Sequence, residues 1–495
     1  MICFDIKLPE AARTRSIRQW LPQRWSPLLR SLESSTPCIP EAPRGGRPRP
    51  RFVCEVEQVP VGRAIGVIGQ QVRRGRRSRR PESYTIGRVT VEALLIAPEF
   101  PAPPPRERTG LVLTGGGARS AYQVGVMRAV ADLLPRDAPT PFHVITGTSA
   151  GAIVAANVAA YASHFRAGVV ALERVWRNFH VDQVFRTDAP SLLRAAFRWL
   201  AALLSFGRLA SPPVSLLDNT PLRQLLERGV DFDRIREALA TGHLEALAIS
   251  AAGYSSARSF AFYQSRIHPV ADASHWPQGV AAHLGLDHLM ASSAVPFLFP
   301  PVRMHGEYFG DGAMRQVAPL SPAIRLGANR LFVVGVRDKR PEIPLNADSA
   351  STPSFGRLFG FMLDTLFMDS LHAGVAQLER LNRLVAQSLV PNPEGLRHID
   401  SLVLVPGADL SAIAASHARQ MPRTVRALLR ILGAANDDGS GLLSYLLFES
   451  AYTRELIALG YADTMARREE VAAFLEPAAQ TGAGTSASVP SRYRT

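Results

Sequence analysis

Three cysteines in 495 residues leave little scope for disulfide or thiolate chemistry. All three, Cys3, Cys38 and Cys54, lie within the first 108 residues. Nothing from residue 109 onward can rest on a disulfide framework or a cysteine-based metal site. No apolar run reaches the length of about 18 residues that a membrane-spanning helix needs. The start of the chain lacks the basic segment, apolar core and cleavage site of a signal peptide. A cytoplasmic protein, peripheral at most to a membrane, is therefore expected. There is no internal repeat. The neighbouring His268, His275, His283 and His288 do not follow the spacing of a zinc-binding helix, and they read as surface or structural residues.

Charge is unevenly spread. The net charge of +14 divides into 20 Lys and Arg against 10 Asp and Glu in residues 1–108, leaving only +4 for the rest. Basic clusters at residues 43–50 and 73–80, mixed with proline and glycine, disfavour a packed core. Residues 1–108 are thus expected to form a basic, largely disordered extension. Within it, only short pieces such as residues 89–96 suit a strand. An arm for anionic lipid or nucleic acid is the functional alternative. No nucleic-acid partner is expected for the remainder. That remainder belongs to a chain 46% hydrophobic overall, enough for a large core. A proline-rich linker at residues 98–105 leads into it.

Chemistry concentrates in residues 111–161, where two glycine-rich turns each follow a strand-like apolar run and open a helix-like segment. The second turn is Gly147-Thr148-Ser149-Ala150-Gly151, the Gly-x-Ser-x-Gly nucleophile-elbow pattern. Residues 142–146 before it are short, apolar and β-branched; residues 152–161 after it suit a buried helix. Such a turn forces Ser149 into a strained conformation at the sheet edge, with Gly147 and Gly151 letting the chain fold close beside it. The helix N-terminus adds free N–H groups and partial positive charge.

The first turn is Thr114-Gly115-Gly116-Gly117-Ala118-Arg119. Its glycines expose backbone N–H groups that can hold an anion, here the oxygen of a tetrahedral acyl intermediate. One such donor is worth about 2.7–4 kcal/mol of transition-state stabilisation. Arg119 either adds positive charge there or sits in solvent. Dinucleotide binding fits less well, because Gly115-x-Gly117-x-x-Ser120 lacks the third glycine and no acidic residue ends the next strand. A P-loop is excluded by the absence of Gly-Lys-Ser/Thr.

With Asp311-Gly312-Ala313 downstream, the order of motifs resembles the patatin-like phospholipases. That family shows Gly-Gly-Gly-x-Arg/Lys, then Gly-x-Ser-x-Gly, then a distant Asp-Gly-Ala/Gly. Residues 291–301, Ala-Ser-Ser-Ala-Val-Pro-Phe-Leu-Phe-Pro-Pro, also look like a stretch of bacterial members. The resemblance covers roughly residues 109–465. It implies a three-layer α/β/α fold with a mainly parallel central sheet and a helical insertion. It also implies a Ser149–Asp311 dyad without histidine, acting on phospholipids or lysophospholipids with no metal or organic cofactor. From spacing alone Asp311-Gly312 would read as a turn; its role as base comes from the resemblance. Two alternatives stand beside it. One is an α/β-hydrolase triad using His372, His398 or His417. The other is a lipid-binding scaffold without catalysis.

Elsewhere, residues 165–217 read as the helical insertion, with an apolar stripe from Leu192 to Leu204 and cationic Arg194, Arg198 and Arg208. This is either a lid at a membrane surface or a core-covering helix. Asp218 reads as a cap before a helix opened by Pro221. Residues 244–250, 259–263, 331–336 and 402–405 read as strands and residues 355–389 as one long helix. The acyl-hydrolase domain is expected to span 109–466, and the tail, residues 467–495, to be mostly disordered.

Overall fold

The computed structural model describes residues 107–188, 190, 215–267, 276, 278–337, 355–365, 370–387, 396–431 and 440–476, with two short strands nearer the N-terminus. The chain divides into two units, Met1–Pro98 and Glu99–Thr495. In the first, Glu55–Glu57 pairs antiparallel with Gly69–Gln71. The basic clusters, the cysteines, residues 89–96 and the Leu192–Leu204 stripe lie outside the described residues.

The second unit is built on a sheet of nine strands among the described residues. These are β1 (Thr109–Leu113), β2 (Val144–Thr148), β3 (Ala246–Gly253), β4 (Ser259–Ser265), β5 (Gly279–Ala281), β6 (Val302–Met304), β7 (Glu307–Asp311), β8 (Arg330–Val334) and β9 (Asp400–Leu404). Their order is β9-β8-β1-β2-β3-β4-β5, with β7 on the far end of β3 and β6 beside β7. The five strands from β9 to β3 run parallel. β4 and β7 are each antiparallel to β3. The parallel strands are buried along most of their length, which suits their largely apolar composition.

The helices that frame the site are α1 (Ala121–Leu133), α2 (Ala150–Ala160), α3 (Phe165–Arg177), α4 (Thr220–Gly229), α5 (Leu286–Ser292), α6 (Ser321–Arg325), α7 (Phe355–Asp364), α8 (Ser370–Gln387), α9 (Leu410–His417), α10 (Ser440–Leu446), α11 (Ser450–Ala466) and α12 (Arg468–Leu475). Helices cover both faces of the sheet, because successive strand residues point to opposite sides. Leu331 and Ala323 of α6 meet over Gly110 on one face. Phe332, the next residue, packs against Phe474 of α12 on the other. The result is the mainly parallel α/β fold that the resemblance implies.

Two boundaries differ from the sequence expectation. β2 runs through Thr148 rather than ending at Thr146, because pairing with β3 continues to Thr148 opposite Ser250. The region expected as one helix at 355–389 is helical in α7 and α8, and residues 366–369 between them lie outside the described residues. Helical structure also passes Ala466, because α12 buries Val471 and places Phe474 on the core. Asp218 accepts hydrogen bonds from Thr220 N at 2.9 Å and Thr220 Oγ1 at 2.5 Å, a capping arrangement just ahead of α4.

Candidate active site

The register of β3 places the two residues of interest. Thr148 of β2 lies opposite Ser250, and Asp311 of β7 lies opposite the next residue, Ala251. β4 takes the other edge of β3 over the same span, pairing with Ser250 and Ala251. β2 and β7 must therefore share one edge. β2 leaves that edge at Ser149, and β7, running the opposite way, ends there at Asp311. Two residues remote in sequence are brought together end to end by strand pairing alone. Gln316 braces the junction: its Oε1 accepts from Thr148 Oγ1 at 2.7 Å and its Nε2 donates to Ser250 Oγ at 2.8 Å.

Ser149 has φ 56° and ψ −132°, a sparsely populated conformation for a residue with a side chain. It stands at the N-terminus of α2 and is 3% exposed. Its N–H donates to Ser292 Oγ at 2.9 Å, which fixes the turn against α5. Gly147 and Gly151 sit where a side chain would collide. A Cβ on Gly147 would lie 2.6 Å from Gly151 O, and one on Gly151 would lie 2.5 Å from Thr114 O.

Asp311 is 1% exposed. Its Oδ1 accepts from Ala313 N at 2.9 Å, while its Oδ2 is buried without a hydrogen-bond partner. Burial pushes its pKa up to about 7, against the lowering influence of the Ser149 side chain and the Ala313 amide. The Ser149 hydroxyl is thus near enough to act on the carboxyl, although no hydrogen bond joins it to Oδ2.

β1 and β2 are parallel neighbours, so both glycine-rich turns leave the same end of the sheet. Gln123 holds the first turn in place, donating to Thr114 O at 2.8 Å and Val334 O at 3.3 Å. Among the described residues, no backbone hydrogen bond uses the N–H of Gly115, Gly116 or Gly117. Gly117, at φ +53°, lines the same cavity as Ser149, and a Cβ there would lie 2.4 Å from Tyr445 O.

Arg119 departs from both expectations. It is buried at 1% exposure, not in solvent. Its guanidinium donates to Asp364 Oδ1 at 2.9 Å, Ser444 Oγ at 2.8 Å, Ser411 Oγ at 3.0 Å and Tyr445 OH at 3.2 Å. Its carbon also sits 4.0 Å from the centre of the Tyr445 ring. The charge is matched by Asp364, so the side chain ties the glycine turn to α7, α9 and α10 instead of standing free for an oxyanion.

Ser149 opens onto an apolar cavity with about 1000 Å³ of empty space, part of it open to solvent. Its walls include Leu172 and Trp176 of α3, Leu222 and Leu226 of α4, Val295, Phe299, Leu363 of α7, Tyr445 and Leu446 of α10, and Phe448 just after it. The expected insertion and the 355–389 region thus both contribute, together with a C-terminal wall that sequence reasoning missed. Asp364, Ser292, Gln316 and Asn157 were also missed. Ser292 lay in a stretch noted for its resemblance, whereas the others carry no local signal.

The histidines of the triad alternative are engaged elsewhere. His417 Nε2 is 2.5 Å from Glu455 Oε2, His398 Nδ1 is 3.4 Å from Asp400 Oδ1, and His372 lies on α8. None of the three lines the cavity. Among the described residues, no group of three or more His, Cys, Asp and Glu is placed to hold a metal ion.

Residues 111–324, the stretch that carries the serine elbow and the second glycine-rich turn, match the family model of the patatin-like phospholipases. A cGAMP-activated phospholipase of Pseudomonas aeruginosa (strain BWHPSA011 / Pa011) is 25% identical over 209 residues, covering 42% of this chain and 53% of that protein. The chain therefore spans about half the length of this curated relative. Among solved structures, human GIVD cytosolic phospholipase A2 in complex with methyl gamma-linolenyl fluorophosphonate is similar at 11% identity and a TM-score of 0.37, over 74% of this chain and 59% of that one. VipD from Legionella pneumophila is similar at 12% identity and a TM-score of 0.26, over 72% and 67%.

Proposed function

We propose that the chain is a serine acyl hydrolase that cleaves fatty-acyl esters of phospholipids or lysophospholipids. Ser149 Oγ attacks the ester carbonyl while Asp311 Oδ2 takes its proton. The carbonyl oxygen, now an anion, is held by the free amides of Gly115–Gly117. Collapse releases the alcohol, which takes the proton back from Asp311, and leaves the acyl group on Ser149. Water, deprotonated by the same carboxylate, then attacks the acyl-enzyme; Ser149 leaves with the proton and the fatty acid is freed. Every step uses protein groups and water.

The observation that carries this assignment is the shared edge of β3, which sets a strained serine beside a buried carboxyl with one unpaired oxygen. The raised pKa suits the role, since a base works best with a pKa near the working pH. The apolar cavity matches an acyl chain. Phe297, 63% exposed, stands between the cavity-lining Val295 and Leu298 in the chain, and Val317, 85% exposed, follows Gln316; both suit a peripheral contact with lipid. Among the described residues, no helix is long and apolar enough to cross a membrane.

The test is a fluorophosphonate probe followed by a phospholipid panel. Wild type should be labelled at Ser149 and release fatty acid. Ser149→Ala should lose labelling and at least about a thousandfold in turnover. Full turnover in Ser149→Ala would reject the assignment.

A further inference from the structure

Three helices wall the cavity that starts at Ser149, and their directions fix its two ends. α2 runs away from Ser149, with Ala150, Ile153 and Asn157 lining the cavity turn by turn. α3 returns alongside it: a Cβ on Gly168 would lie 2.2 Å from Tyr161 Cβ, so Leu172 stands level with Asn157 and Trp176 level with Ile153. α4 runs the same way as α2. The segment leading into it is tied to the Ser149 end, since Leu217 N donates to Leu298 O at 2.9 Å and Leu298 N to Val295 O at 3.2 Å. The chain beyond α4 reaches the far end, where Arg234 sits 4.8 Å from the centre of the Tyr161 ring. Gly229, the last residue of α4, therefore lines the end remote from the nucleophile. The rise of α2 from Ser149 to Asn157 puts that end about 12 Å away.

That end is open. Of the residues lining the cavity, Gly229 and Val175 are exposed, and all the others are buried or half-buried. A Cβ on Gly229 would meet nothing within 4 Å, whereas one on Gly117, at the other end, would strike the Tyr445 carbonyl. The backbone of Gly229 is not left-handed, so neither a turn nor a close neighbour requires glycine there. The missing side chain leaves a gap between α3 and α4. An acyl chain esterified to Ser149 would fill 12 Å with about ten carbons. A closed pocket would resist more, because extra methylenes in a filled apolar site force the packing apart. Here the remaining carbons can pass out beside Gly229. We propose that Gly229 is a specificity-determining residue: it keeps the far end of the cavity open, so that acyl chains longer than the cavity are accepted with their ends outside it. The proposal rests on the acyl-hydrolase assignment and names its substrate class more closely.

The experiment compares kcat/KM of the full-length protein on octanoyl and palmitoyl esters of umbelliferone in the same mixed micelles. Wild type should cleave the palmitoyl ester at least as well as the octanoyl ester. Gly229→Phe and Gly229→Trp fill the gap from α4, and Val175→Trp fills it from α3. Each should lower kcat/KM on the palmitoyl ester by about tenfold or more and leave the octanoyl ester within about twofold. Gly229→Ala, whose methyl group has room, should match wild type on both. A wild type that disfavours the palmitoyl ester tenfold has a closed end and overturns the proposal. So does a palmitoyl-to-octanoyl ratio that none of the three bulky substitutions moves. Equal losses on both esters also overturn it, because the gap would then be the way in for every substrate. Those results reject the open end alone, whereas no hydrolysis of either ester by wild type, with no probe labelling of Ser149, rejects the acyl-hydrolase assignment with it.

Discussion

A carboxylate at its ordinary pKa is a poor base towards a serine hydroxyl, and the environment of Asp311 changes that. Burial moves its pKa from 3.8 to about 7. Two consequences follow at this one residue. The basic form accumulates only as pH passes through about 7, so turnover should climb with pH below that value and level off above it. Stability should move the other way. The folded state retains a proton between pH 3.8 and about 7 that the unfolded chain gives up, so folding is progressively weakened across that window and is level above it. Asp311→Asn removes the buried ionisation. It should lower turnover by about 100- to 10,000-fold, yet melt higher than wild type at pH 8 and show a flatter dependence of Tm on pH. Thermal melts across pH check the second expectation independently of activity. A wild-type melting curve that rises from pH 4 to 7 in step with that of Asp311→Asn would show that Asp311 is not a strained buried acid.

At the scale of elements, the Ser149 turn and the Arg119 network behave differently. The serine elbow is made by neighbours in sequence, so Gly147, Ser149 and Gly151 could be read directly from the chain. Arg119 is fixed by partners in α7, α9 and α10, more than 240 positions away, and a buried role for it had no local trace. Arg119→Ala would leave Asp364 buried and uncompensated, at a cost of about 3–5 kcal/mol, visible as a large drop in Tm. Asp364→Ala should destabilise similarly, and the double substitution should cost much less than the sum. Gly117→Ala meets both a positive φ and the Tyr445 carbonyl, so it should lose probe labelling along with stability. The strand signals at β1, β2, β3 and β8 were legible from composition. The register that sets Asp311 opposite Ala251 was not, because nothing in a strand's sequence says which edge it shares with another.

Taken whole, the molecule places both glycine-rich turns, Ser149 and Asp311 in residues 111–324 but closes its cavity with residues beyond them, Leu363, Tyr445, Leu446 and Phe448. Ending the chain before α10 should therefore abolish labelling even though every motif residue remains. By contrast, Met1–Pro98 forms a unit of its own, and its removal should leave kcat/KM on a water-soluble ester within about twofold. If its basic clusters act at all, the effect should appear as salt-sensitive binding to anionic vesicles. The whole account depends on Ser149 being activated by Asp311 and by no histidine. The most direct measurement is the rate of fluorophosphonate labelling against pH, with the adduct located by mass spectrometry. The expected result is an adduct on Ser149 whose rate of formation rises with a midpoint near pH 7 in wild type and stays low and flat in Asp311→Asn. Labelling that is unchanged in Asp311→Asn, or that is abolished by replacing His372, His398 or His417, would contradict it.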